Sequence, residues 1–351
     1  MFENKGITQR VMAKMIESNP STINKFISIN GYQPIPQTSQ KNLRYSIVDT
    51  RKILTSLYSS KHIPTKKVLS FYNFKGGVGK TSMCFQIASF LSLIGYNVLA
   101  VDGDPQGHLS TSFNYDGSEN LYTLYDVISG NLIINDVIKP VYPGLDIVPA
   151  NLSLTKIENL LNELPKREER IQIALQSIKE KYDFIIFDTN PTISHLNKNI
   201  ISYSDFLNVV VETQAYALNG LKILMSDLDD FYNKMQMTPP EYIIIPNKYE
   251  DRASNSVEAM SALVEYYSQS LKPDFAVRKS EDFNTSIGIA VRVDKFSDSS
   301  IDMYVRCFTK SGSWNEWLSV KEKLAIEIKQ IVENNKASFA FPSSSIYIEK
   351  K

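Results

Sequence analysis

The chain has 351 residues, of which 43% are hydrophobic and 22% charged, and its 38 basic residues balance 38 acidic ones. This composition is typical of a soluble protein long enough for two domains. Two cysteines without paired spacing give no disulfide or metal framework, and no apolar stretch approaches 18 residues. We therefore predict a cytoplasmic protein without a signal peptide or membrane span.

The overall neutrality hides an uneven distribution of charge. Residues 1–67 contain 11 Lys or Arg and 3 acidic residues, a net charge of +8, so residues 68–351 carry −8. A small basic segment joined to an acidic remainder is typical of a nucleic-acid-binding module.

The basic segment has the pattern of a helix-turn-helix. Apolar spacing predicts helices over Thr8–Ile16 and Ser21–Ile29, separated by a turn at Pro20. In that layout the second helix enters the major groove of DNA. A further helix over 49–59 closes the module. The predicted DNA-contacting residues are Ser21, Thr22, Asn24 and Lys25 of the second helix, with Lys41 and Arg44 in a basic wing over 41–46.

The string GYQPIP…LRYSIVDTRKIL resembles the winged-helix modules of MerR-like regulators. A basic helical hairpin used for dimerisation is the alternative. We place the module at residues 1–62, a linker with Pro64 at 63–67, a second and larger domain at 68–335 and a flexible tail at 336–351.

The segment Phe71–Thr81, FYNFKGGVGKT, has the pattern of a phosphate-binding loop. Glycines let successive N–H groups wrap an anion, a lysine reaches the β- and γ-phosphates, and a hydroxyl binds Mg²⁺. A predicted strand over 68–73 and a helix over Ser82–Ile94 supply the required context. Phe74 stands where the usual pattern has glycine, and Lys75 is an additional lysine. The predicted nucleotide-binding residues are Gly76, Gly77, Val78, Gly79, Lys80, Thr81 and Ser82.

Acidic residues follow two other predicted strands. Asp102 and Asp104 come after the strand over 97–101, and Asp188 comes after the strand over 182–187. The carboxyl ends of parallel strands meet at one edge of a sheet, so these carboxylates are expected beside the phosphate loop, where Mg²⁺ would bind.

Strands and helices alternate through the rest of the predicted larger domain. We predict strands over 145–148 and 208–211, and helices over 152–164, 168–181 and 217–235. Apolar strands in this alternation indicate an α/β fold with a doubly wound, mostly parallel sheet covered by helices on both faces.

The three motifs KGGVGKT, VDGDPQGHLS and FIIFDTNP resemble the nucleotide motifs of the ParA family of partition ATPases, over about residues 67–292. The resemblance implies a P-loop NTPase fold with ATP and Mg²⁺ as cofactors. It implies an ATP-sandwiched homodimer in which Lys75 reaches the partner's nucleotide. Asn190 departs from the family pattern, where proline is common.

The resemblance also implies individual roles. Lys80 would contact the β- and γ-phosphates, and Thr81 would ligate Mg²⁺. Asp104 would orient the attacking water and help to hold Mg²⁺. Asp102 beside it would bind the nucleotide, and Asp188 would support the metal. Asn247, at the end of an apolar run, would contact adenine; a turn after a strand is the alternative for this residue.

The implied function is DNA partition by a slow ATPase that a ParB-type partner stimulates. The ATP-bound dimer would bind nonspecific DNA through Arg278 and Arg292, although a solvated loop is an equal alternative for each. The N-terminal module would bind an operator and repress its own operon, in a nucleoid-associated protein.

Two other functions fit parts of the sequence. An ATP-regulated transcriptional repressor would use the same module without a role in partition. A membrane-associated ATPase of the MinD type would need an amphipathic C-terminal helix, which the tail AFPSSSIYIEKK does not supply. The segment 298–317 matches no motif.

Overall fold

The computed structural model describes residues 6–36, 43–58, 66–115, 121–214, 217–250, 253–271, 276–278, 290–297 and 300–306. Lys41, most of the predicted linker, the predicted final part of the ATPase domain and the tail lie outside these ranges. The chain divides into two compact units, Met1–Ala276 and Val277–Lys351.

The N-terminal module has its helices where the sequence predicts them. Its elements are β1 (Ile7–Thr8), α1 (Gln9–Met15), α2 (Pro20–Asn30), β2 (Arg44–Tyr45) and α3 (Ile47–Tyr58), and β1 pairs with β2 in antiparallel fashion. Proline occupies the first turn of α2, where its missing N–H costs no hydrogen bond. Buried side chains of all three helices pack into one cluster with Tyr45.

The first unit also contains a seven-stranded sheet. Its strands lie in the order β9-β8-β3-β7-β4-β6-β5. Every neighbouring pair is parallel except β5 with β6. The predicted mostly parallel, doubly wound sheet is therefore confirmed. The bounds are β3 (Lys67–Tyr72), β4 (Val98–Gly103), β5 (Lys139–Tyr142), β6 (Leu145–Val148), β7 (Phe184–Thr189), β8 (Phe206–Glu212) and β9 (Glu241–Tyr249).

Nine helices of the described chain accompany this sheet. They are α4 (Lys80–Leu93), α5 (His108–Ser112), α6 (Leu124–Ile128), α7 (Ile134–Val137), α8 (Ile157–Glu163), α9 (Arg170–Leu175), α10 (His195–Tyr203), α11 (Ala217–Met235) and α12 (Ser254–Tyr267). The continuous helix expected over 168–181 is wrong. Only α9 is α-helical there, between 3₁₀ turns at 167–169 and 179–181.

Strand β3 lies at the centre of the buried core. Its residues Val68, Phe71 and Tyr72 belong to three different hydrophobic clusters, one of which also contains the buried residues of α11. A strand packed on both faces needs apolar side chains at nearly every position, as KVLSFY provides. The core therefore fixes the strand that leads into the glycine loop.

The N-terminal module is anchored to the far end of α4 by Arg51. The guanidinium donates to the carbonyl oxygen of Ser92, to those of Gly95 and Tyr96 at 3.0 and 2.9 Å, and to Oδ1 of Asn97 at 3.1 Å. The last carbonyls of a helix have no intrahelical donor, so Arg51 supplies a cap from another element. Burial lowers the pKa of this guanidinium.

In the second unit, β10 (Val277–Arg278) precedes an antiparallel hairpin of β11 (Ala290–Ser297) and β12 (Ser300–Arg306). The hairpin accounts for the first part of the segment that matched no motif. Throughout the described part of the chain, no helix has both the length and the apolar character that a membrane span needs.

Candidate functional site

The glycine loop joins β3 to α4 and requires glycine at specific positions. Gly77 and Gly79 have φ angles of +72° and +102°, a region that other residues rarely adopt. A Cβ atom added to Gly79 would lie 2.4 Å from Nδ2 of Asn247. Another residue at position 79 would therefore be strained by this φ and would have to displace the Asn247 amide.

Helix α4 begins at Lys80, two residues before the predicted start. Lys80 and Thr81 consequently lie in its first turn, where backbone N–H groups have no intrahelical acceptor. The helix N-terminus also carries a partial positive charge. Both properties favour the binding of phosphate at this point.

An open cleft of about 590 Å³ lies over the loop. It brings together predicted residues from two motifs, and it adds residues of the loop after β7 that the sequence analysis did not assign. Its lining includes Gly76, Gly77, Gly79, Lys80, Thr81, Ser82, Asp104, Gln106, His108, Thr155, Thr189, Asn190, Pro191 and Thr192. Val78, also predicted to bind nucleotide, is buried behind this surface.

Lys80 is held under the loop. Its side chain is 6% exposed, and its ammonium donates to the carbonyl oxygen of Lys75 at 3.3 Å. Burial lowers its pKa, while the carboxylates of Asp188 and Asp104 act in the opposite direction. A cation with so little access to water is well suited to neutralise phosphate oxygens.

Asp188 is a fully buried carboxylate near the end of β7. Neither oxygen is bonded to any described residue. Burial raises its pKa to about 8, the adjacent Asp102 adds to the rise, and the Thr81 hydroxyl and Lys80 oppose it. In the sheet register Asp188 lies between Phe71 of β3 and Asp102 of β4. An orphaned carboxylate beside Thr81 fits the oxygen-rich surroundings that Mg²⁺ and its bound waters require.

The carboxylate of Asp102 holds the turn after β4 through hydrogen bonds. Its carboxylate accepts from the backbone N–H and the hydroxyl of Ser110 at 2.8 and 2.7 Å, and from the N–H of Asp104 at 3.1 Å. Burial raises its pKa to about 6 against the lowering effect of these bonds. The structure thus places Asp102 under Asp104, and a direct contact of Asp102 with nucleotide stays a prediction.

Asp104 lies at the cleft itself. Its Oδ1 accepts the N–H of Gln106 at 2.9 Å in the turn that leads to α5. The turn directs the chain across the cleft, since Gln106 and His108 line it as well. Asp104 is therefore in position to meet a water molecule or a metal at the phosphate end of the site.

Lys75 contacts residues that the sequence analysis missed. Its ammonium lies 2.6 Å from Oε2 of Glu212 and 3.0 Å from Oε1 of Gln214. Lys248 also pairs with Glu212, at 3.2 Å. The predicted strand ended at Val211, one residue short of Glu212. The rule that identified Asp188, an acidic residue at the carboxyl end of a parallel strand, would have identified Glu212 too.

Asn247 touches the loop. Its Nδ2 donates to the carbonyl oxygen of Val78 at 2.5 Å, and its Oδ1 accepts from the N–H of Lys248 at 2.8 Å. The side chain is 8% exposed. These contacts give Asn247 a role in holding the loop, and its contact with adenine stays a prediction.

The predicted DNA-binding residues belong to both units. Ser21, Thr22, Asn24 and Lys25 are exposed on α2, and Arg44 is exposed on β2. Arg278 and Arg292 belong to the second unit, in β10 and β11.

Comparisons with known proteins identify the family of the chain. The family model described as "AAA domain" matches residues 66–238. The cell division protein PomZ of Myxococcus xanthus is 31% identical over 240 residues, which cover 68% of this chain and 75% of PomZ. The chromosome partitioning protein ParA of Caulobacter vibrioides is 33% identical over 166 residues, 46% of this chain and 62% of that protein. The chain belongs to the ParA family of partition ATPases.

The fold of this ParA-family chain is shared with solved structures. A plasmid partition protein from Borrelia burgdorferi, bound to AMPPNP, superposes with a TM-score of 0.54 at 21% identity, covering 67% of this chain and 92% of that one. A second family model, for the C-terminal part of mechanosensitive ion channel MscS, matches residues 264–339, beyond the nucleotide motifs.

ATP with Mg²⁺ is the cofactor pair that suits the ParA-type site.

Proposed function

We propose that the chain is an ATP-dependent DNA partition protein that hydrolyses ATP slowly, as an ATP-sandwiched homodimer. The observation that carries the proposal is the pair of lysines, Lys75 and Lys80, on one glycine loop with Asp104 across the cleft. Lys80 contacts the nucleotide bound to its own subunit, and Lys75 contacts the nucleotide bound to the partner subunit. The names of the ParA and PomZ relatives support partition or positioning as the purpose.

The chemistry is transfer of the γ-phosphoryl group to water. Thr81, Asp104 and Asp188 would hold Mg²⁺, which neutralises charge on the phosphates. Lys80 and the N-terminus of α4 bind and orient the phosphates, and Asp104 orients the attacking water. A carboxylate is a weak base, so the intrinsic rate is low, and a ParB-type partner accelerates it.

DNA binding is proposed at two places. The exposed face of α2, in a segment of charge +8, binds an operator and represses the protein's own operon. Arg278 and Arg292 bind nonspecific DNA through phosphate contacts in the ATP-bound dimer. The protein would accordingly be cytoplasmic and associated with the nucleoid.

The direct test is inheritance of a replicon that carries the gene. We expect Lys80→Ala and Asp104→Ala each to raise the rate of loss to that of a deletion, while Lys166→Ala, at an exposed lysine, leaves inheritance unchanged. Stable inheritance with Lys80→Ala would exclude partition. Asp104→Ala should in addition abolish hydrolysis while the chain still dimerises with ATP.

An ATP-regulated repressor is the second candidate, because the α2 face is exposed in the folded chain. Footprinting of the full chain on DNA upstream of its gene tests this function. We expect a sequence-specific footprint that the double change Asn24→Ala and Lys25→Ala removes. Loss of the footprint with normal inheritance would separate repression from partition.

A further inference from the structure

The Lys75 side chain is engaged within its own subunit. Its ammonium pairs with Glu212 at 2.6 Å and donates to Gln214 at 3.0 Å. The lysine side chain is 53% exposed, whereas the Glu212 side chain is 8% exposed. Lys75 can therefore move away into water easily, but the carboxylate that it leaves stays buried and needs another counter-ion.

Lys248 is such a counter-ion. Its ammonium lies 3.2 Å from Oε1 of Glu212, the oxygen that also accepts from Nε2 of Gln214 at 3.0 Å. Burial alone would raise the pKa of Glu212, yet the hydrogen bonds from Lys75 and Lys248 lower it below its ordinary value. One ionised carboxylate thus holds two lysines, and it stays neutralised when one of them leaves.

Lys248 is also fixed in place by its backbone. It adopts a φ of +54°, an uncommon conformation for a residue other than glycine, and its N–H donates to Oδ1 of Asn247. The sheet register places Glu212 of β8 opposite Asn247 of β9. The two strands therefore hold the carboxylate and its second lysine together whether or not Lys75 is present.

We propose that Glu212, Gln214 and Lys248 form a latch that holds Lys75 in its own subunit and releases it when two nucleotide-bound chains pair. The inference rests on the proposed function, in which Lys75 reaches the partner's nucleotide. Each chain must give up the contact between Lys75 and Glu212 before the dimer is complete. The latch therefore opposes dimerisation and sets the protein concentration at which nucleotide-bound chains pair.

The two charged members of the latch act in opposite directions. Removing the charge of Glu212 frees Lys75 and favours the dimer. Removing Lys248 leaves Lys75 as the remaining lysine on the buried carboxylate, which strengthens the hold and disfavours the dimer. A residue that merely stabilised the fold would not produce effects of opposite sign in this pair.

The test is the dissociation constant of the dimer of the full chain, measured by sedimentation with Mg²⁺ and AMPPNP. We expect Glu212→Gln to lower it about tenfold and Lys248→Met to raise it. A partly exposed ion pair changes an equilibrium about threefold, and two chains each release one lysine. Glu241→Gln, an exposed glutamate at the start of β9, is the matched control and should have no effect.

An unchanged or weaker dimer with folded Glu212→Gln overturns the latch. Gln214→Ala, at an exposed side chain, gives a second measurement if Glu212→Gln does not fold; it should tighten the dimer to a smaller extent, and no change would overturn the latch as well. Lys75→Ala tests the underlying function separately. A Lys75→Ala chain that dimerises as the unmodified chain does would overturn the role of Lys75 across the dimer.

Discussion

The amide nitrogen of Asn247 donates to the carbonyl oxygen of Val78 and so ties strand β9 to the phosphate loop. The same nitrogen is the atom that a Cβ on Gly79 would meet. Asn247 thereby limits where the loop can lie. This contact is separate from any contact with adenine, and the two roles can be distinguished by experiment.

Asn247→Ala should weaken the binding of ATP and of inorganic tripolyphosphate alike. Loss of the bond leaves a carbonyl of the loop without its donor, at a cost of about 1–2 kcal/mol, or about fivefold to thirtyfold in affinity. Calorimetric titration of both ligands measures the effect, with exposed Asn219→Ala as the control. Weaker binding of ATP alone would instead indicate an adenine contact.

Gly79→Ala should abolish nucleotide binding, while Gly76→Ala should keep it within about fivefold. At Gly79 an alanine meets both a φ of +102° and a contact of 2.4 Å, whereas at Gly76 the nearest atom is Cγ of Pro191 at 3.9 Å. The strain at the first position is worth about 1–3 kcal/mol before the clash is added. The affinity of the two variants for a fluorescent ATP analogue measures the difference. Equal losses of affinity would contradict the conclusion that position 79 has the stricter requirement for glycine.

Asp188→Asn should stabilise the nucleotide-free protein and impair Mg²⁺-dependent binding of ATP. Because burial raises the pKa of this carboxyl to about 8, folding near pH 7 must protonate a group that is ionised in the unfolded chain; an amide avoids that cost, with a gain of about 1–2 kcal/mol. Thermal unfolding without nucleotide and ATP titration with and without Mg²⁺ give the two readouts. A lower melting temperature would show that the carboxylate stabilises the empty fold.

Arg51→Ala should lower the free energy of unfolding by about 2–3 kcal/mol. It removes the donor shared by the carbonyl oxygens of Gly95 and Tyr96, just after α4, and leaves them without this partner beneath the N-terminal module. Lys52→Ala, at the next and exposed position, is the matched control and should change stability by less than about 0.5 kcal/mol. Urea unfolding measures both, and equal small effects would mean that apolar contacts alone hold the module.

The parts of the site that could be predicted from sequence are those with local patterns. KGGVGKT fixes the loop because glycine positions and a following helix are readable in a few residues. Asp102 and Asp188 were readable because each follows an apolar strand. The different roles of the two carboxylates could not be predicted from the sequence. They depend on Ser110, eight residues beyond Asp102, and on the absence of a similar donor for Asp188 among the described residues.

The contacts that sequence reasoning missed join residues far apart in the chain. Arg51 belongs to the basic N-terminal segment, yet its partners are carbonyl oxygens 44 and 45 residues further along the chain. Lys75, which is predicted to reach the partner's nucleotide, contacts Glu212 at the end of β8 and Gln214 just beyond that strand. Neither pairing has a local pattern, because the sheet order that creates it follows from packing of the whole domain.

Helix α4 spans 14 residues, or about 21 Å, between the phosphate loop at its start and Arg51 at its end. Because the N-terminal module is fixed to that helix, its distance from the module of a second chain in a dimer cannot vary independently. In the proposed dimer bound to DNA, the way in which the ATPase domains pair would therefore set the spacing of the two α2 helices. The preferred spacing between operator half-sites would thus depend on the geometry of the nucleotide-bound dimer. A nucleotide that changes how the chains pair would change the spacing that the dimer prefers.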